Sequence, residues 1–219
     1  MSTKNTFLGA EKAALQLEKA DRIALLGAGG VGMYSVAREL LARGKTVIGS
    51  DRVTGPLFED LLSRGARLQV GECPPGVDSC DLLIYTTAVA GDHPALTLSE
   101  QAGIPRMSRA DALAGRSRGD TPRIAVAGMH GKSTVTAMLG HILERAGQDP
   151  TVACGAVMLP EESPYRAGTC GCVYEACEYL RAFLCFSPEV AVILNIDDDH
   201  TDCYPTLDSA EAAFADFLA

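Results

Sequence analysis

The sequence predicts an α/β chain: a Rossmann-like parallel-sheet domain followed by a truncated P-loop nucleotide-binding α/β domain. Three observations predict it. Short, continuously apolar runs alternate with stretches of helical period, which is how parallel strands covered by helices read. Each half carries an apolar strand that runs into a glycine loop and then a helix, first at Leu26-Gly27 and again at Ala127-Gly128. Between them, residues 115–121 (Gly-Arg-Ser-Arg-Gly-Asp-Thr) and Pro122 form a polar, glycine-rich break, the composition of a domain boundary. The domains are therefore expected at 1–115 and 122–219.

Strands in the first half are expected at 22–26, 46–49, 67–70, 82–86 and 104–107, with helices at 31–43, 56–64, 94–102 and 109–114. The second half restarts with a strand at 123–127 and a helix at 133–146. A strand near 151–154, a loop over 160–171, strands at 172–175 and 190–196, and a helix at 209–218 complete it. That last helix ends on Phe217-Leu218-Ala219, an apolar face with nothing left to pack on. The second half also has few strands for a complete nucleotide-hydrolase sheet. Both features suggest a piece of a longer chain or a shortened relative.

With 219 residues, 47% hydrophobic and 21% charged, the composition is that of an ordinary globular protein with room for two modest domains. A net charge of −9 argues against a nucleic-acid binder and against an anionic membrane surface. No apolar run reaches the length of a membrane span, and the N-terminus lacks a signal-peptide apolar segment. A cytoplasmic location is expected, with the eight cysteines reduced. Cys170, Cys172 and Cys177 do not match the usual zinc spacings, so the cysteines read as small buried hydrophobes.

The second glycine loop, Gly128-Met129-His130-Gly131-Lys132-Ser133-Thr134, is the most informative stretch. Backbone N–H groups of such a loop wrap phosphate oxygens, the lysine adds a point charge, and the hydroxyl can hold Mg²⁺. The spacing is short, because Val126 stands where the common phosphate loop has its first glycine. In the first loop, Gly27, Gly29 and Gly32 satisfy G-x-G-x-x-G, with Gly30 inside it, and Asp51 ends the next strand at the offset of a ribose-binding acid. Taken alone, that loop fits NAD, another diphosphate, or a bare glycine turn. Two acidic clusters close later strands: Glu175 within Val173-Tyr174-Glu175-Ala176-Cys177-Glu178, and Asp197, Asp198, Asp199 and His200 after 192–196. Ligands of parallel sheets sit beyond the carboxyl ends of the strands, so these loops should converge. The three aspartates cannot all face one metal, and one is expected to face solvent or to cap a helix.

In this order the motifs resemble the Mur ligases. The carrying residues are 27–33 with Gly49-Ser50-Asp51, then 127–134, then Glu175-Ala176-Cys177-Glu178, then 195–200. The stretch 86–89 with Asp92-His93-Pro94 also looks like that family's segment near the uridine nucleotide. His130 before Gly131-Lys132 points to the alanine-adding branch or the related murein-tripeptide recycling ligase. The resemblance implies that the first domain binds UDP-N-acetylmuramate, not NAD, through Gly27, Gly29, Gly30, Gly32, Met33, Asp51, Thr86 and Thr87. It implies ATP on Gly128, His130, Gly131, Lys132, Ser133, Thr134 and Asn195, with Mg²⁺ held by Ser133, Glu175 and His200. Lys132, Glu175 and His200 would then carry catalysis, with L-alanine as the second substrate. In the family the muramoyl carboxylate is phosphorylated and the acyl phosphate is attacked by the amine, in a precursor step of peptidoglycan synthesis. The family continues through the rest of the ATP domain and a third domain, so this chain alone is expected to be incomplete for catalysis. Three departures stand out: Tyr34-Ser35 after Gly-Met, which would crowd the diphosphate; Glu72 after Gly71, where histidine is common; and Cys177, where aspartate is often found. A remnant that only binds UDP-sugar or nucleotide, and an NAD-dependent oxidoreductase, are the alternatives.

Overall fold

Five short strands of the first half lie parallel in one sheet, joined by helices and, after residues 67–70, by a 3-10 turn at Val77–Ser79. The computed structural model describes residues 7–219; the first six residues of the first domain and of the polar N-terminal stretch lie outside the described residues. The chain divides into two compact units, Met1–Arg116 and Ser117–Ala219. In the first, the elements are α1 (Ala10–Lys19), β1 (Arg22–Leu26), α2 (Val31–Ala42), β2 (Thr46–Asp51), α3 (Pro56–Ser63), β3 (Arg67–Val70), β4 (Leu82–Tyr85), α4 (Pro94–Gln101), β5 (Arg106–Ser108) and α5 (Arg109–Ser117). The sheet order is β3-β2-β1-β4-β5, parallel throughout. β1 is central, and Ile23, Ala24 and Leu25 are sealed from water.

Local chemistry starts and stops these helices. Pro94 occupies the first turn of α4, and His93 Nδ1 accepts the Ala95 N–H at 3.2 Å. Asp111 accepts from Ser108 Oγ at 2.7 Å and from the Leu8 N–H at 2.8 Å, which ties the chain ahead of α1 to the start of α5. Helix α1 itself was not expected. Its sequence, Ala-Glu-Lys-Ala-Ala-Leu-Gln-Leu-Glu-Lys, is nearly all strong helix formers. It approaches α5 closely at Gly115, where a Cβ would lie 2.6 Å from the Ala14 nitrogen.

The second unit contains β6 (Arg123–Ala127), α6 (Lys132–Arg145), β7 (Thr151–Met158), β8 (Ser163–Arg166), β9 (Cys172–Glu175), β10 (Val190–Ile193) and α7 (Leu207–Leu218). Its sheet order is β10-β6-β9-β7-β8, parallel except for the β7–β8 hairpin. Strand β8 corrects the expected loop over 160–171. Pro164 hides the strand signal, yet an edge strand tolerates proline, and Ser163, Pro164 and Tyr165 are buried. β7 runs four residues beyond the expected 151–154, and β10 stops at Ile193, short of the expected 196.

The expectation that the last helix has nothing to pack on is also corrected. A 3-10 segment, Tyr179–Cys185, presents Phe183, which stacks on Phe217 of α7 at 4.9 Å and meets Phe214 edge-on at 5.1 Å. Leu218 alone of that terminal trio stays strongly exposed among the large apolar side chains. Because Phe183 is fully buried, Phe183→Ala is expected to cost about 3–5 kcal/mol. Denaturant unfolding measures this directly, and an unchanged midpoint would show that α7 is held by something else.

Candidate functional site

In each sheet the strand order reverses beside the strand that feeds a glycine loop, β1 in the first unit and β6 in the second. A crevice opens at such a switch point, beyond the carboxyl ends of the strands. The two loops are best compared by asking where their N–H groups go.

In the first loop most donors are already used. The Gly27 and Ala28 N–H groups bond Ser50 O at 2.9 and 3.0 Å, and Gly30 bonds Gly27 O at 3.2 Å. The Gly29 N–H bonds Asp51 Oδ2 at 2.8 Å. Only the first-turn N–H groups of α2, on Val31, Gly32 and Met33, have no partner among the described residues. Asp51 thus braces the loop, whereas a free ribose acid had been expected. Met33 has its side chain in the core at 2% exposure, leaving only its N–H for a ligand. Thr86 follows β4 with its methyl group against Gly27, and Thr87 follows it at the same edge.

Two departures acquire a physical account. Tyr34 was expected to crowd a diphosphate, but its ring is buried and its hydroxyl donates to Asp60 of α3 at 2.6 Å, away from the α2 N-terminus. Burial acts on Asp60 to raise its pKa, and the hydrogen bonds from Arg64 and Tyr34 outweigh this and hold it low. Glu72 is exposed and 4.0 Å from Arg52, which offsets its charge.

In the second unit the register sets Glu175 of β9 beside Val126 and Ile193 of β10 beside Ala127, so three strands end together. Asn195 follows β10 and brackets the loop: its Oδ1 accepts the His130 N–H at 2.9 Å and its Nδ2 donates to His130 O at 3.1 Å. The amide is thereby committed to the loop. His130 is exposed, with Nε2 3.8 Å from Asp197. The N–H groups of Gly131, Lys132, Ser133 and Thr134 have no partner among the described residues, which leaves a phosphate cradle at the start of α6.

Lys132 does not lie free above that cradle. Its ammonium donates to Gly128 O at 2.6 Å, Met129 O at 3.1 Å and Glu178 Oε1 at 3.0 Å, which occupies all three of its donors. Glu178 is fully buried and also meets His200 Nε2 at 3.1 Å. A carboxylate only accepts, so Nε2 carries the proton in this contact. Tyr204 OH donates to Glu178 O, and burial pushes the Tyr204 hydroxyl up. The expected triad of Ser133, Glu175 and His200 is therefore split, with His200 engaged by Glu178.

Glu175 turns the other way. Its Oε1 accepts from the Gly155 N–H at 2.5 Å and from Cys154 Sγ at 3.3 Å. A Cβ at Gly155 would lie 2.6 Å from its Oε2, so this glycine makes room for the carboxylate. Burial, with Glu175 alongside, pushes the Cys154 thiol up to about 11. Glu175 Oε2 and Ser133 Oγ have no hydrogen-bond partner among the described residues. That all-oxygen pair suits Mg²⁺, which keeps several waters and needs few protein ligands. No group of three His, Cys, Asp or Glu converges as a complete metal cage among the described residues.

Glu178 is the residue that sequence reasoning passed over, although it stands in the quoted Glu175-Ala176-Cys177-Glu178 stretch. Spacing cannot show that it is buried. Cys154 and Gly155 carried no motif signal.

Residues 22–120 match the family model described as Mur ligase family, catalytic domain, and residues 126–219 match the Mur ligase middle domain. A UDP-N-acetylmuramate–L-alanine ligase of Clostridium botulinum is 38% identical over 202 residues, covering 92% of this chain and 44% of that protein. The ligase of the same name from Caldanaerobacter subterraneus is 38% identical over 206 residues, covering 94% and 45%. The crystal structure of the UDP-N-acetylmuramate–alanine ligase of Thermotoga maritima superposes with a TM-score of 0.79 at 32% identity, covering 90% of this chain and 46% of that one. The chain thus spans less than half the length of the curated relatives it matches.

Two outcomes test the site's geometry. Glu178→Ala strands Lys132 and His200 without their shared partner, with an expected cost of about 3 kcal/mol by denaturant unfolding; a neutral result would mean that neither side chain depends on it. Cys154 should alkylate far more slowly than exposed Cys170 at pH 8, because a raised pKa keeps its thiol protonated. Mass spectrometry of partly modified protein reads this, and equal rates would contradict the burial.

Proposed function

The chain belongs to the Mur ligase family, and from that premise we propose that it forms the UDP-sugar-binding and ATP-binding part of an enzyme joining L-alanine to UDP-N-acetylmuramate. Residues 1–115 take the UDP-sugar and residues 122–219 take ATP with Mg²⁺. The observation that carries the reading is the pair of switch-point loops, each ending in a helix with N–H groups left for phosphate. NAD fits the first loop less well, because Asp51 spends its carboxylate on Gly29.

The reaction transfers the γ-phosphoryl group of ATP to the muramoyl carboxylate, giving ADP and an acyl phosphate. The alanine amine then attacks the carbonyl carbon and inorganic phosphate leaves. Such chemistry needs placement and neutralisation of negative charge more than covalent help from the protein. The Gly131 to Thr134 N–H groups seat the phosphates. Lys132 exchanges one of its present acceptors for a phosphate oxygen and so adds its charge at the transferring group. Ser133 and Glu175 supply oxygens to Mg²⁺, which when bound neutralises the triphosphate. Asn195 holds the loop in register. His200, carried on Glu178, faces the nucleotide side as a contact to phosphate or metal. The amino-acid pocket and completion of catalysis belong to the remaining half of a full-length ligase. No helix among the described residues is long and apolar enough to cross a membrane, and a cytoplasmic site of peptidoglycan-precursor synthesis accords with this.

Titration calorimetry of the purified chain tests both halves. Saturable binding of UDP-N-acetylmuramate without binding of NADH is expected, and the reverse would overturn the reading. Binding of a fluorescent ATP analogue with Mg²⁺ should weaken about tenfold or more in Lys132→Ala; equal affinity would remove Lys132 from the nucleotide site.

A further inference from the structure

We propose that Cys154 is a positioning residue for the metal ligand Glu175: its thiol and the Gly155 N–H hold one carboxylate oxygen, so that the other is left in a fixed direction for the cation. The proposal rests on the ATP and Mg²⁺ reading above and adds a residue that lies outside both glycine loops.

Ala153 of β7 stands level with Tyr174 of β9, so Cys154 and Glu175 are the next residues of two neighbouring parallel strands. Side chains alternate between the faces of a sheet. Val152 and Cys154 share one face of β7 and pack with Ala137 of α6, which turns the thiol toward the start of that helix. Cys154 is 3% exposed. Its Sγ lies 3.4 Å from Ser133 O and 3.3 Å from Glu175 Oε1. One buried sulfur thus touches both residues that supply oxygens to Mg²⁺ on that reading.

The thiol has one proton and two acceptors within reach. A carbonyl in the first turn of a helix already accepts from the N–H four residues on, and a carboxylate is the stronger acceptor. The proton therefore goes to Glu175. The Gly155 N–H gives a second bond to the same oxygen at 2.5 Å. Gly155 also leaves room for the group, since a Cβ there would lie 2.6 Å from Oε2. Two donors on consecutive residues of β7 pin Oε1, while Oε2 keeps no hydrogen-bond partner among the described residues. A ligand oriented before the ion arrives loses little freedom on binding, and donors in this outer position set metal affinity by a factor of about ten or more.

The test is the Mg²⁺ requirement for binding a fluorescent ATP analogue, measured on the chain and on its Cys154→Ala and Cys154→Ser variants, each with and without Glu175→Gln. The wild type should bind the analogue more tightly as Mg²⁺ is added. Cys154→Ala should raise the Mg²⁺ concentration at half-effect about tenfold and leave the affinity in EDTA unchanged. Cys154→Ser keeps a donor and should stay within about threefold of the wild type. In the Glu175→Gln background Cys154→Ala should add nothing, because the thiol acts through that carboxylate. Should Cys154→Ala fold poorly, Cys154→Val fills the space without a donor and must show the same rise. A rise below about threefold, or a full rise that persists with Glu175→Gln, overturns the role of Cys154 and leaves the ATP reading standing. Failure of the wild type to bind the analogue, or binding indifferent to Mg²⁺, overturns that reading itself, and the inference with it.

Discussion

A carboxylate sealed from water is stable only if cations and hydrogen-bond donors replace its hydration. Glu178 is sealed in this way, and much of the second unit's active edge is arranged around it. Lys132 reaches it from the start of α6 and His200 from the loop after β10. Tyr204 fastens its carbonyl. Two loops far apart in sequence are thus referred to one buried anion. The backbone bears a strain beside it, because Leu180 and Arg181 both adopt left-handed conformations, at φ 54° and 60°. Such angles are costly for residues with side chains and persist where surrounding contacts over-determine them. Here those contacts are the packing of Phe183 against α7 and the ion pair of Arg181 with Asp216.

The two glycine loops solve one problem by different means. In the first, Asp51 and Ser50 consume the early donors and leave the helix terminus open. In the second, Asn195 braces the loop from the next strand, and Lys132 is folded under it. The first is a neutral cradle, and the second carries its cation within. A diphosphate that is only held and a triphosphate that reacts make different demands, since charge must be offset most where it moves.

Much of this was legible in the sequence. The central strands of the first sheet could be read because parallel strands buried on both faces are continuously apolar, and the loops could be read because glycine and lysine are placed by backbone geometry and charge. β8 was hidden because Pro164 mimics a loop, and α1 because its polar face masked a good helix former. Glu178 was passed over for a different reason. Its role depends on burial and on partners 46 and 22 residues away, and local spacing holds no record of either.

Strand β10 has a consequence for how the polypeptide behaves in concentrated solution. Among the described residues it pairs only with β6, so its other margin offers unpaired peptide groups along Val-Ala-Val-Ile, with Val190 46% exposed. An open apolar margin invites a second copy to add its own strand. Acid residues stand at both ends of this one, Glu189 before it and Asp197, Asp198 and Asp199 after it. Two copies joined antiparallel along β10 would bring the acid of one close to the acids of the other. Mutual repulsion at both ends thus opposes self-association at low ionic strength, and salt, by screening it, would favour clumping.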